Sequence, residues 1–379
     1  MHGSVDLTNV TRILALDLGK FNSVLCIYDP ATQQHQFATF QTTPQVVHDL
    51  LVKYQTKDPA QTLVVMETCD VSGWIHDIAV ALGICVAIAN CSHEAWRWSR
   101  VKRKTDKDDA LKLARLTLLK QLPTVHMPSP QQRQRRRLVH YRRVLVDRRT
   151  SIRNQIRSIY SQQGMSLPRR ARCWSKPGIE QLSKEARAFS ECSSIDELWR
   201  GRLHTELKLL SEISQQIDLV EDKLDQLGAE DDRIKLLQSV PGVGPRLSET
   251  LVAHIDDPHR FKNAAQVASY AGLVPKQMES GTVKRSGRIT RRGPALLRSM
   301  LVEVAWMVYM RCDWARSFVQ RISGGIAGRK KIAIVALARK LLVMLWAMLR
   351  DNRAFVDPTS SPPEDTAPVT AVSSVVALG

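Results

Sequence analysis

The stretch Arg12-Ile13-Leu14-Ala15-Leu16-Asp17-Leu18-Gly19-Lys20 decides how this chain is read. A short apolar run closed by a glycine reads as a buried strand, and here it ends in a carboxylate. A carboxylate at the end of a buried strand is costly unless something pairs with it. The pattern recurs in Leu63-Val64-Val65-Met66-Glu67. A third acidic site follows in Lys104-Thr105-Asp106-Lys107-Asp108-Asp109-Ala110. Three such sites in a very basic protein point to divalent metal ions and phosphoryl chemistry.

Working outward, apolar and β-branched content predicts strands at 12–17, 23–29, 35–41, 62–67 and 84–89. Helices are expected at 44–56, 73–82 and 106–120. Three strands in a row read as an antiparallel meander, and the later strands as crossover units. Residues 10–125 are therefore expected to form an α/β domain. Beyond it, Leu138, Leu145, Ile152 and Ile159 repeat every seven residues on a basic helix. A break follows around Gly164 to Pro177. Leu203, Leu207, Leu210, Ile213, Ile217, Val220, Leu224 and Leu227 then mark a second long helix. Residues 126–230 read as a helical hairpin or coiled coil, within one chain or between chains. Residues 231–355 read as compact and mainly helical, and 356–379 as a disordered tail of Pro, Ser, Thr and Ala.

The 379 residues carry 55 Lys and Arg against 37 Asp and Glu, a formal charge of +18. That balance favours an anionic polymer over a membrane surface, because no basic amphipathic helix dominates. The apolar run Ile332 to Leu349 is split by Arg339 and Lys340 and reads as a core helix, so no membrane is expected. The seven cysteines form no Cys-x-x-Cys pair; with no signal peptide ahead of them, a reducing, cytoplasmic setting fits.

Asp106 and Asp109 are three apart on an expected helix and share one face. Alone, the pair reads as a helix cap at Asp106 and a solvated Asp109. Asp17 and Glu67 at two strand ends shift the reading to a shared site, where four oxygen donors can hold two divalent ions. Val240-Pro241-Gly242-Val243-Gly244-Pro245 lies between helical patterns. Gly242 and Gly244 either let backbone amides approach a phosphate or serve an ordinary helix connector. Arg97, Lys102 and Arg103 lead into the acidic pair, and Arg135, Arg136, Arg142 and Arg143 line the first long helix. Such runs are usually solvated, but only Asp147 opposes them between 129 and 160, which favours contact with DNA or structured RNA. Ser280 sits in a basic loop with Lys284, Arg285 and Arg288; by itself it reads as a turn residue, yet the setting suits attack on phosphorus.

The element order resembles the ribonuclease H fold in its RuvC-like form. Asp17-Leu18-Gly19-Lys20, Glu67-Thr68-Cys69, and Lys104-Thr105-Asp106-x-x-Asp109-Ala110 resemble the DEDD transposases of bacterial insertion sequences, the IS-one-ten family. Ala271-Gly272-Leu273-Val274-Pro275, then Ser280-Gly281 and Gly287-Arg288-Ile289-Thr290-Arg291-Arg292-Gly293, are similar to its second domain. Cys69-Asp70 departs from the family where a glycine often stands. The resemblance implies an N-terminal RuvC-like domain, a helical insertion, and a mainly α transposase domain with a helix-hairpin-helix-like element. It implies Asp17, Glu67, Asp106 and Asp109 as magnesium ligands and Ser280 as nucleophile. It also implies donor and target DNA, a noncoding bridge RNA, and a homo-oligomer, a dimer of dimers, whose domains act across protomers. A related DNA invertase, a hydrolytic RuvC-like nuclease and a non-catalytic scaffold are the competing readings.

Overall fold

The computed structural model describes residues 7–90, 105–167, 170–280 and 283–357. Chain contacts divide it into one unit of residues 1–138 with 259–266, and a second of 139–258 with 267–379. Both the expected helical insertion beyond residue 138 and the expected C-terminal domain thus fall largely within the second unit. The expected tail lies outside the described residues from 358 onward.

The first unit is built on a five-stranded sheet. Its strands are β1 (Arg12–Asp17), β2 (Asn22–Tyr28), β3 (His35–Gln41), β4 (Thr62–Glu67) and β5 (Cys85–Ala89). They stand in the order β3-β2-β1-β4-β5. β1 pairs antiparallel with β2 and parallel with β4, in the register Leu16 to Met66. β4 and β5 are parallel in turn. The meander and the crossovers are those expected from the apolar runs. Helices α1 (Pro44–Tyr54), α2 (Ser72–Ala81) and α3 (Asp106–Leu118) complete this part of the chain.

Alternation along the central strands sorts their side chains into two cores. Leu14, Leu16, Val64 and Met66 pack with Val47, Leu51 and Ile75 of α1 and α2. Ile13, Ala15, Leu63 and Val65 pack on the opposite face with Ala110, Leu113 and Ala114 of α3. Both sides of β1 and β4 are covered, which is why their sequences are continuously apolar.

The second unit is helical apart from one hairpin. Helix α4 (Pro130–Gln162) starts in the first unit and runs on into the second. It is followed by α5 (Lys176–Glu185) and α6 (Leu198–Ala229). Arg142 bonds Glu221, and Arg202 bonds Gln162, so α4 and α6 run antiparallel. Leu203, Leu210, Ile217 and Leu224 of α6 are buried at seven-residue steps. Ile156 and Tyr160 of α4 join Leu203, Leu210 and Leu182 of α5 in one core, so the hairpin closes within a single chain here. The expected break at 164–177 is occupied in part by the start of α5.

Helices α7 (Asp232–Gln238), α8 (Pro245–Ile255) and α9 (Ala264–Tyr270) lead to strands β6 (Pro275–Ser280) and β7 (Val283–Ile289). Helices α10 (Ala295–Arg311), α11 (Asp313–Ser323) and α12 (Lys330–Asp351) end the fold. The β6–β7 hairpin is an addition to a segment expected to be mainly helical. Among the described residues α12 alone is long and apolar enough to cross a membrane. It buries Ala333, Leu337, Leu341 and Leu345 in this unit, as a core helix does.

Candidate active site

Asp17 and Glu67 follow directly on the paired residues Leu16 and Met66 of two parallel neighbours. Each is two positions beyond a residue of the α3-side core, Ala15 and Val65. Period-two alternation therefore turns both carboxylates to the face that α3 covers. The C-terminal edge of parallel strands is where α/β sheets commonly place their ligand sites.

Helix α3 supplies the other two acids through its cap. Thr105 is the N-cap: its side chain accepts from the Asp108 amide at 3.3 Å, and the Asp108 carboxylate accepts from the Thr105 amide at 3.0 Å and hydroxyl at 2.7 Å. This reciprocal box occupies Asp108. The same hydrogen bonds hold the Asp108 carboxyl below the usual carboxylate range. The cap is made by Thr105, not by Asp106 as the pair alone would read, and Asp109 is buried, with 7 % of its surface exposed, rather than solvated.

Asp17, Glu67, Asp106 and Asp109 line a single cleft of about 340 Å³ together with Leu18, Gly19 and Asn22. Gly19 makes the turn that closes its wall, since a Cβ there would lie 2.1 Å from the Asn22 carbonyl oxygen. Asn22 is a cleft residue that the sequence did not single out; the tight Leu18–Phe21 turn is the signal that brings it back beside Asp17.

The donor chemistry fits magnesium: hard oxygen ligands at a strand edge open to solvent. Among the described residues no group of three or more His, Cys, Asp or Glu side chains is arranged so as to hold a metal ion by itself. Magnesium does not require one, because it keeps several waters and takes one or two carboxylates with substrate phosphate.

The other sequence-derived candidates are distributed differently. Ser280 ends β6 and stands in register with Val283, the first residue of β7. Lys284 and Arg285 are on β7 in register with Glu279 and Met278, and Arg288 is exposed on the same strand. Ser286, the second serine of this hairpin, pairs with Gln277 farther from the tip. Gly242 has a left-handed φ of +94°, and a Cβ there would meet Val308 of α10 at 3.3 Å, so it serves packing. Gly244 faces open space. Arg142 donates to Glu221 at 2.6 Å, and Arg143 to Asp147 at 3.2 Å, so both are engaged within the chain. Arg135 and Arg136 are half-buried on α4. Arg97, Lys102 and Arg103 lie outside the described residues.

Residues 14–163 match the DEDD transposase domain, which spans the acid-lined cleft. Residues 234–320 match the domain described as "Transposase IS116/IS110/IS902 family", which spans the Ser280 hairpin. The chain belongs to the IS116/IS110/IS902 transposase family. A Sinorhizobium fredii protein named as a transposase, y4rJ, is 28 % identical over 323 residues, covering 75 % of this chain and 76 % of its own. The transposase for insertion sequence element IS1111A of Coxiella burnetii is 26 % identical over 301 residues, 77 % of this chain and 79 % of its own. A pilin gene-inverting protein of Moraxella bovis is 36 % identical over 125 residues, 32 % of this chain and 38 % of its own. Family membership makes this chain a DNA-processing enzyme of the insertion-sequence class.

Proposed function

We propose that this transposase recombines the ends of an insertion sequence with target DNA through a covalent phosphoserine, with a RuvC-like acid site in its first unit. The observation that carries the reading is the convergence of Asp17, Glu67, Asp106 and Asp109 on one cleft. The strand order β3-β2-β1-β4-β5 supports the ribonuclease H assignment. Asp17, Glu67, Asp106 and Asp109 would hold magnesium, which when bound supplies Lewis-acid polarisation of a phosphate oxygen.

The Ser280 hydroxyl loses its proton and attacks the scissile phosphorus. One P–O bond forms to Oγ, and the P–O bond to a deoxyribose oxygen breaks, leaving that oxygen to take up a proton as a hydroxyl. Attack by a hydroxyl of the partner strand reverses the exchange and releases serine, so no high-energy cofactor is consumed. The basic β7 residues Lys284, Arg285 and Arg288 supply positive charge near the developing phosphorane. Arg135, Arg136, Arg97, Lys102 and Arg103 are candidates for phosphate contact; Arg142 bonds Glu221 and Arg143 bonds Asp147 within the chain. The family pattern supports a bridge RNA and a homo-oligomer acting on DNA in the cytoplasm.

The test is to trap reactions with labelled DNA and map protein-linked label. Wild type should carry label on Ser280. Ser280→Ala should bind nucleic acid yet form no adduct, and Asp17→Asn should lose strand exchange. Label on Ser286, or metal-dependent cleavage with no adduct at all, would replace the phosphoserine reading with another nucleophile or with hydrolysis. The 36 % identity to a pilin gene-inverting protein favours inversion as a second reading. Recombination of a plasmid with inverted against separate sites distinguishes the two by product.

A further inference from the structure

Phe21 stands in the turn between β1 and β2, four residues beyond Asp17 and next to Asn22 of the cleft wall. Its surface is 74 % exposed. A lone exposed aromatic is ordinary on a protein surface. Two observations set this one apart. Its backbone is fixed from both sides: the Phe21 carbonyl accepts from the Thr42 amide at 2.8 Å, and the Gly19 amide donates to Ser23 Oγ at 3.2 Å. The Ser23 and Thr42 hydroxyls are themselves bonded at 2.7 Å, and Gly19 leaves no room for a Cβ. The turn therefore presents the ring outward instead of letting it fold onto the sheet. The second observation is charge: Lys20 Nζ lies 5.2 Å from the ring centroid, which puts a cation on the rim of a cleft lined by four carboxylates.

A cleft lined by carboxylates repels a phosphate backbone unless cations accompany it. An aromatic face with an adjoining ammonium is the combination that holds a nucleobase and its phosphate together. A base inside a duplex has both faces covered by its neighbours, so a protein ring gains only against an unstacked base. We propose that Phe21 is a stacking platform for an unpaired base of the DNA strand entering this cleft, with Lys20 on that nucleotide's phosphate. The proposal rests on the reading of the cleft as a DNA-cutting site, but not on the identity of the nucleophile.

The experiment uses the full-length protein and element-end DNA carrying 2-aminopurine singly at each nucleotide flanking the cut. Stacking on an aromatic ring quenches this base. Wild type and Phe21→Trp should quench one position, whereas Phe21→Ala and Phe21→Leu should leave it bright and weaken single-strand binding by about 10- to 100-fold. Lys20→Gln should keep the quench and lower the salt dependence of binding. Melting should be unchanged in all four variants, since the ring buries little. Equal quenching in wild type and Phe21→Ala, or wild-type affinity in Phe21→Leu, overturns the proposal. So does quenching with 2-aminopurine RNA but not DNA, or a change in light-scattering mass in Phe21→Ala, which would assign the ring to a second copy. If wild type quenches but does not cut DNA, the stacking site stands and the catalytic reading falls.

Discussion

The hairpin that carries Ser280 is tied to its helical unit at two glycines, and replacing one should cost activity far more than stability alone accounts for. Gly272 and Gly293 flank the hairpin with left-handed φ values of +68° and +84°. A Cβ on Gly293 would lie 1.9 Å from the Tyr270 carbonyl oxygen, and one on Gly272 would lie 2.1 Å from that of Arg292. Arg298 closes the same root by donating to Ala271 O at 3.0 Å and Arg292 O at 3.3 Å. In Gly293→Ala the left-handed backbone alone costs about 1–2 kcal/mol. Carbon and oxygen settle near ~3.3 Å, so the chain must also move by over ~1 Å to clear the carbonyl. A displacement of that size at a reacting group costs on the order of 100-fold in rate. Two controls separate the effects. Gly164 has a φ of +69° with nothing within 4 Å of a Cβ, and Gly328 has open space and no positive φ. Gly328→Ala should be neutral, and Gly164→Ala should lose the backbone term without losing adduct formation. Gly293→Ala should lose both, read by urea denaturation and by the rate of covalent adduct formation. Wild-type rates in Gly293→Ala, or an equal rate loss in Gly164→Ala, would refute the mechanical link between the hairpin root and Ser280.

Arg142→Gln should lower stability by about 1–3 kcal/mol through loss of the Glu221 bond and leave the salt dependence of nucleic-acid binding unchanged, whereas Arg135→Gln with Arg136→Gln should reduce that log–log slope by roughly one unit per lost phosphate contact. The lowered Asp108 pKa contributes stability above the carboxyl's unfolded value, and that contribution disappears as pH falls through the folded value. Melting of wild type and Thr105→Ala should therefore differ most near neutrality and converge in acid; a constant gap would dismiss the capping box as the cause. Burial pushes the Cys26 thiol up to about 12, so iodoacetamide mapping should label exposed Cys69 and Cys85 in the native protein and Cys26 only after unfolding.

The sheet was legible because β1, β2, β4 and β5 are each built on a compact apolar run. The reading at 12–17, 35–41 and 62–67 coincides with β1, β3 and β4. The convergence of Asp17 and Glu67 was legible only through strand order, because sequence alone does not say that β1 and β4 are neighbours. Hairpin β6–β7 was not legible. Lys276-Gln277-Met278-Glu279-Ser280 has no apolar alternation, and its pairing rests on backbone bonds and on the glycine contacts at its root. Arg142 was read as part of a phosphate-facing stripe because its acidic partner Glu221 lies on another helix, nearly eighty positions away. The heptads of α4 and α6 were plain, but period alone did not say whether the seam closes within a chain; the shared core around Ile156, Leu203 and Leu210 does.

The acid cleft also explains why three aspartates crowd the first turn of α3. Four carboxylates sharing about 340 Å³ repel one another. The N-terminal end of α3 opposes that repulsion, since its unpaired amides carry partial positive charge and favour acidic residues in the first turn. Asp108 closes the capping box with Thr105, which fixes the helix start and so the azimuth of its neighbours. Asp106 and Asp109 are then held toward the strand ends by the buried Ala110, Leu113 and Ala114 face of the same helix. Moving the helix start by one residue would rotate the acids by about 100° and separate them from Asp17 and Glu67. The Thr105 cap is thus the element that registers a helix against a sheet, and the spacing Thr105-Asp106-x-Asp108-Asp109 follows from one acid being committed to the helix and two to the cleft.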